Sequence, residues 1–135
     1  MTEELKNKII ASFSLEEVKK LLIYKDIKGN LIDKFYFDNK NSNVESTGFC
    51  YLVSLLIYHI DGKNKNWMLK TITDESFIKE NGRHYFLLNK ATNEILDLTS
   101  DQFKTVIPYE KSNGIGIRFV NKNVRRYARI LNIEF

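Results

Sequence analysis

The chain has 135 residues, of which 43% are hydrophobic and 28% are charged. This length and composition are typical of one globular domain, spanning residues 1–135, that buries a core without disulfide or metal cross-links. The net charge is +4, and from Lys104 onward seven basic residues stand against two acidic ones. The single cysteine excludes an internal disulfide and fits no zinc-binding motif.

Two features of the sequence indicate where in the cell the protein is located. Residues Met1 to Lys8 are charged and lack the apolar run of a signal peptide. The longest apolar stretch, Tyr51 to Ile60, is too short to span a bilayer. We therefore expect a cytoplasmic protein with no membrane partner.

The first predicted element is a helix from Leu15 to about Tyr24. Ser14 and Glu17 have the spacing of a capping box, and the apolar residues that follow recur on one helical face. A turn is predicted at 26–30, a strand at 31–37 and a polar loop at 38–47.

The segment from Gly48 to Ile60 is the most apolar part of the chain. Eleven residues from Cys50 onward are apolar almost all round, and Asp61 and Gly62 close the run. By length it is predicted to be a buried central helix, with Cys50 in its first turn.

The C-terminal half alternates between strand and turn patterns. The predicted elements are a strand at 67–72, a hairpin at 84–99, a short turn at 100–103, an edge strand at 117–120 and a last helix. In that helix Val124, Tyr127, Ala128 and Leu131 share one face. We expect that face to be buried and Arg125 and Arg129 to be exposed.

The hairpin brings a histidine close to an aspartate if its loop has an even number of residues. A two-residue loop puts His84 directly opposite Asp97, whereas a four-residue loop puts Asp97 opposite Phe86, diagonal to His84. An odd loop would place them on opposite faces, because side chains alternate along a strand. Both even loops support a His–Asp pair in which the carboxylate orients the imidazole.

A thiol nucleophile needs a lowered pKa, a base and a group that orients the base. Cys50 is predicted at a helix N-terminus, where free N–H groups favour a thiolate and an oxyanion, so we expect its pKa to lie below the free value of about 8.5. Other interpretations remain open: a lone cysteine in an apolar helix is usually core, and Asp97 could cap the following turn. His59 is expected to be a core or boundary residue.

The motifs also resemble a known family. The G-F-C at residues 48–50, the H-Y-F at 84–86 with Asn89, and the D-L-T-S-D-Q-F at 97–103 resemble the YunG-like family of small bacterial proteins. The resemblance covers about residues 48–131, and the first 45 residues are not matched. Phe49 stands where many relatives have a polar residue, often glutamine, which could remove a donor near the oxyanion site.

More distantly, the order of cysteine, histidine and Asp-Leu-Thr is similar to the transglutaminase-like branch of papain-fold enzymes. That resemblance implies an α+β, papain-like domain in which the Cys50 helix packs on an antiparallel sheet. It also implies acyl transfer or hydrolysis of an amide, isopeptide or ester bond, with Cys50 as nucleophile, His84 as base and Asp97 as orienting group. No metal or organic cofactor is implied.

Three further residues are candidates for contact with a peptide or protein substrate: Asn89, Gln102 and Trp67. Of these, Asn89 is also expected to support the hairpin turn, Gln102 either to face the site or to pack locally, and Trp67 to contribute to the core.

Two alternative functions come from other classes. One is an inactive papain-like module that binds or inhibits a partner protein. The other is a nucleic-acid-associated protein, whose basic face would comprise Arg118, Lys122, Arg125, Arg126 and Arg129.

Overall fold

The computed structural model describes residues 1–117 and 121–135, which form an α+β structure. The helices are α1 (Glu3–Ser12), α2 (Glu16–Lys19), α3 (Lys34–Lys40), α4 (Cys50–Ile60), α5 (Glu75–Asn81) and α6 (Lys122–Ile130). The strands are β1 (Tyr24–Lys25), β2 (Leu31–Ile32), β3 (Trp67–Ile72), β4 (His84–Asn89), β5 (Ile95–Leu96) and β6 (Ser112–Ile115). Short 3-10 turns cover Lys20–Leu22, Ser100–Gln102 and Tyr109–Lys111.

The larger sheet has the strand order β5-β4-β3-β6 and is antiparallel throughout. Strands β1 and β2 form a separate antiparallel pair. Helix α4 packs against β3 and β4 on one side and against α6 on the other. The expectation that the Cys50 helix lies on a sheet containing the 84–99 hairpin is confirmed.

Two hydrophobic clusters lie on opposite faces of this sheet. Alternate strand residues such as Leu69 and Leu87 join the core of α4, whereas Ile72 and Phe86 face a second cluster around Phe77. His84 is in register with Ile72, so it belongs to the second face.

The N-terminal segment, which the family resemblance does not reach, is tied to the C-terminal helix by buried polar contacts. The hydroxyls of Ser12 and Tyr127 are 2.6 Å apart. The Asn123 side chain donates to the carbonyl oxygens of Leu21 (2.8 Å) and Ile23 (3.2 Å). These bonds fix α6 against the N-terminal layer, because a buried polar group left unpaired is costly.

Helix α6 has the predicted two faces. Val124, Tyr127, Ala128 and Leu131 are buried, whereas Arg125 and Arg129 are exposed. The helical spacing alone predicted this division correctly.

The capping box at Ser14 is not formed. The Ser14 hydroxyl donates to the carbonyl of Ala11, and α2 begins at Glu16 with Leu15 as N-cap and no side-chain cap. The reason is that α1, a helix that we did not predict, ends just before Ser14, and its Ala11 carbonyl accepts the hydrogen bond from the Ser14 hydroxyl. The helix predicted to Tyr24 is therefore shorter: α2 ends at Lys19 and a 3-10 turn continues to Leu22.

The strand predicted at 31–37 is also wrong beyond Ile32. Leu31 and Ile32 pair with β1 across the predicted 26–30 turn, and α3 then begins at Lys34. Tyr36 and Lys40, one helical turn apart, both reach the carboxylate of Glu16, at 2.5 and 2.6 Å. These contacts with α2 favour the helix over the extended form.

The edge strand lies earlier than predicted. It is β6 (Ser112–Ile115), paired with β3, and Ile117 is in no strand, while 118–120 lie outside the described residues. A glycine suits this edge, because a Cβ on Gly114 would come 3.2 Å from the sulfur of Met68. Within the described ranges, no helix has the length and apolar character needed to cross a membrane.

Candidate functional site

The loop before α4 determines where Cys50 lies. Gly48 has a φ of +85°, a conformation that favours glycine, and a Cβ there would come 3.2 Å from the backbone oxygen of Phe35. The next residue, Phe49, is fully buried and its ring stacks on Phe13 with centroids 4.9 Å apart. Cys50 therefore begins α4 directly after a buried anchor, and Phe49 belongs to the core.

The first turn of α4 has N–H groups without a partner in the helix. The N–H of Val53 donates a hydrogen bond to the carbonyl of Phe49 at 2.9 Å. The N–H groups of Cys50 and Tyr51 precede that bond, as helix geometry requires. They lie beside the thiol and are suited to an oxyanion.

His84 and Asp97 form a buried pair. Nε2 of His84 is 2.6 Å from Oδ2 of Asp97, and their side chains are 0% and 3% exposed. The ladder pairs Leu87 with Leu96 and continues with Asn89 opposite Glu94, which gives the four-residue loop. The hairpin register therefore confirms the alternative in which Asp97 is diagonal to His84.

Asp97 accepts three hydrogen bonds besides that of His84. The Tyr109 hydroxyl donates to Oδ2 at 2.7 Å, and the backbone N–H and hydroxyl of Thr99 both donate to Oδ1 at 3.3 Å. Burial, and then the bond to Asp97, raise the pKa of Tyr109, so its hydroxyl stays a donor. The four donors hold the carboxylate in one orientation against the imidazole.

Tyr109 is a site residue that sequence reasoning missed. It lies twelve residues after Asp97 in a 3-10 turn that follows Pro108, and no local motif marks it. Its ring also packs edge-on against Phe86, with centroids 4.8 Å apart. Only the folded chain brings it to the His–Asp pair.

The Cys50 thiol lies at the free edge of β4. Strand β5 pairs with Leu87 and Leu88, and the thiol lies beside the backbone of Tyr85, the residue after His84. Nδ1 of His84 is buried and has no hydrogen-bond partner in the described structure, so no hydrogen bond joins it to the sulfur. In unliganded sites such bonds are often long and tighten only when substrate binds.

Burial raises the pKa of the Cys50 thiol to about 11. The negative charge of Asp97 acts in the same direction, while backbone hydrogen bonds from Tyr85, Tyr51 and Cys50 itself act against it. The expectation of a lowered pKa is therefore wrong, because the cost of burying a thiolate exceeds the benefit of the helix N-terminus. The resting thiol is neutral at physiological pH, although Cys50 as a residue keeps partial exposure.

This pKa predicts slow alkylation in the folded protein. Because only the thiolate reacts, iodoacetamide should modify folded Cys50 about 300-fold more slowly at neutral pH than a free thiol of pKa about 8.5. The rate should rise about tenfold per pH unit toward pH 11, as the thiol loses its proton. Mass spectrometry of the single cysteine, with urea-unfolded protein as control, measures both rates. Fast alkylation at mildly acidic pH would contradict the raised pKa.

Gln102 lies behind the site and joins its parts. Its Oε1 accepts from the N–H of Gly48 at 3.3 Å, and its Nε2 donates to the Thr99 hydroxyl at 3.0 Å. The Ser46 hydroxyl makes a further bond to the carboxylate of Asp101. These bonds hold the loop that presents Cys50 against the segment that carries Asp97.

The other two candidates lie away from the site. Trp67 and Asn89 are opposite each other in the β3–β4 ladder, at the end remote from His84. The side-chain Oδ1 of Asn89 accepts from the N–H groups of Ala91 and Thr92 in the hairpin turn, and the indole N–H of the buried Trp67 donates to Asp61. Both side chains therefore support the fold and do not line the site.

Within residues 1–117 and 121–135, no three His, Cys, Asp or Glu side chains are grouped to hold a metal ion. Comparisons of the chain with protein-family models, with curated proteins and with solved structures find no match.

Proposed function

We propose that the chain is a small thiol hydrolase or acyltransferase with a papain-like fold of the transglutaminase-like branch, in keeping with its resemblance to the YunG-like family. Its substrate is an amide, isopeptide or ester bond in a cytoplasmic peptide or protein. The observation that carries the proposal is the buried His84–Asp97 pair. Nδ1 of His84 has no hydrogen-bond partner in the described structure. Cys50 begins helix α4, and its thiol lies beside Tyr85, the residue after His84.

The roles follow from the donors and acceptors present. With Nε2–H of His84 donated to Asp97, Nδ1 carries the lone pair and acts as the base. Because the Cys50 thiol is neutral at rest, its proton passes to Nδ1 as the sulfur attacks the carbonyl carbon. The N–H groups of Cys50 and Tyr51 stabilise the resulting oxyanion.

The tetrahedral intermediate then collapses. The C–N or C–O bond of the substrate breaks, and the leaving group takes the proton from Nδ1, which leaves a thioester on Cys50. Water, or an amine or hydroxyl acceptor, loses a proton to His84 and attacks the thioester. The thiol is thereby regenerated, and hydrolysis or acyl transfer is complete.

The direct test is the thioester. The protein is incubated with p-nitrophenyl acetate and with a panel of peptide p-nitroanilides, and the products are followed by absorbance and by intact-mass spectrometry. We expect turnover with an acyl adduct on Cys50 that neutral hydroxylamine removes. Cys50→Ala, checked for its fold by circular dichroism, should abolish both signals. Turnover that survives in Cys50→Ala would contradict the proposal.

A second candidate is an inactive module that binds or inhibits a partner protein. The raised pKa of Cys50 and the absence of a hydrogen bond from its thiol to His84 in the described structure favour it. It predicts neither turnover nor an acyl adduct with any probe, while iodoacetamide still labels Cys50 at alkaline pH.

A further inference from the structure

The exposed face of α6 carries a row of cations. Lys122, Arg125, Arg126 and Arg129 are all exposed, at helical spacing opposite the buried face. At 1.5 Å per residue the row is about 10 Å long. The four side chains line a shallow surface depression of about 290 Å³.

These cations form no ion pair with any residue that the structure describes. Among the described residues none of the four takes part in an ion pair, and Arg126 is held through a hydrogen bond of 3.2 Å to the Asn123 side chain. The row therefore concentrates positive charge that no described carboxylate meets within ion-pair distance. Three of its four members are arginines, whose planar fork matches the geometry of phosphate oxygens.

An aromatic ring adjoins the row. The guanidinium of Arg125 lies over the ring of Phe135, 4.8 Å from its centroid, and that ring is 5.4 Å from the ring of His59. Phe135 as a residue is 44% exposed, so a ligand can reach it.

We propose that this face binds single-stranded nucleic acid, with its phosphates on the α6 cations and one base stacked on Phe135. A positive track combined with an exposed aromatic is the arrangement that holds single strands, because every base has a π-face. An acidic protein would use the charge but not the ring, and a duplex keeps its bases stacked inside. None of these residues belongs to the proposed catalytic group, so either proposal can fail without the other.

The test is fluorescence anisotropy with a labelled oligothymidylate of about 12 nucleotides, a length within the range of single-strand binding sites. Arg125→Gln combined with Arg129→Gln should weaken binding at least tenfold. It should also reduce the steepness of the plot of log binding constant against log salt concentration by about 1.4, since each lost phosphate contact removes about 0.7. Lys63→Gln combined with Lys65→Gln, two exposed loop cations, is the matched control and should leave binding unchanged.

The aromatic contact has its own measurement. Phe135→Leu should weaken oligothymidylate binding by about 5- to 150-fold, because stacking contributes about 1–3 kcal/mol per base. It should leave binding of polyglutamate unaffected. Equal affinity in the double arginine variant, or a duplex or polyglutamate that binds as tightly as the oligonucleotide, would overturn the proposal.

Discussion

Replacing Asp97 with asparagine is expected to lower kcat/KM on the most active ester or anilide substrate by about 10³- to 10⁴-fold. The carboxylate accepts from His84 and Tyr109 on Oδ2 and from Thr99 on Oδ1. An asparagine has only one acceptor oxygen. Its NH₂ group therefore takes the place of either Oδ1 or Oδ2 and faces the groups that donate hydrogen bonds there. If it faces His84, Nε2 becomes the acceptor, Nδ1 carries the proton and the base is lost.

Asp101→Asn is the matched control for this prediction. Asp101 lies four residues away and accepts from Ser46 without contact to His84, and an asparagine can still accept that bond. Its kcat/KM should stay close to that of the wild type. Full activity in Asp97→Asn would rule out its orienting role.

Replacing Phe49 with alanine is expected to lower the free energy of unfolding by about 3–5 kcal/mol. The side chain is fully buried, stacks on Phe13 and leaves a cavity when truncated. A loss of this size is a large part of the total of about 5–15 kcal/mol typical of folded domains. Urea unfolding followed by circular dichroism measures it.

Phe37→Ala is the control, because Phe37 is 53% exposed and should cost no more than about 0.5 kcal/mol. Phe49→Gln tests the notion that a polar residue here would add an oxyanion donor. The buried, apolar surroundings of Phe49 predict destabilisation without a gain in activity. A Phe49→Ala variant as stable as Phe37→Ala would show that the ring is not a core anchor.

The parts of the fold predicted correctly are those in which local pattern and burial agree. Cys50–Ile60 is apolar all round and long enough to be a helix, and it is one. An even hairpin loop left two positions for Asp97 near His84 and an odd loop would have separated them, and the structure has the four-residue loop. The spacing of apolar residues along α6 was likewise sufficient to predict which of its faces is buried.

The predictions that failed are those in which another contact overrides the local pattern, three residues away for Ser14 and twenty or more residues away for Tyr36 and Lys40. Ser14 has cap spacing, yet α1 engages its hydroxyl. The segment after Ile32 was predicted to be extended, yet Glu16 holds Tyr36 and Lys40 on a helix. Contacts between segments twenty or more residues apart leave no trace in a short window of sequence.

The sequence by itself determined the α4 helix with Cys50 in its first turn, a hairpin that carries His84 and Asp97, and the two faces of α6, because each depends on periodicity within one segment. The tertiary structure alone decided the Tyr109 bond to Asp97, the contact of Arg125 with Phe135 and the pKa of Cys50. Each of these depends on what packs around a side chain. Burial in particular is a property of the whole fold, and here it outweighs the helix N-terminus that the sequence places beside the thiol.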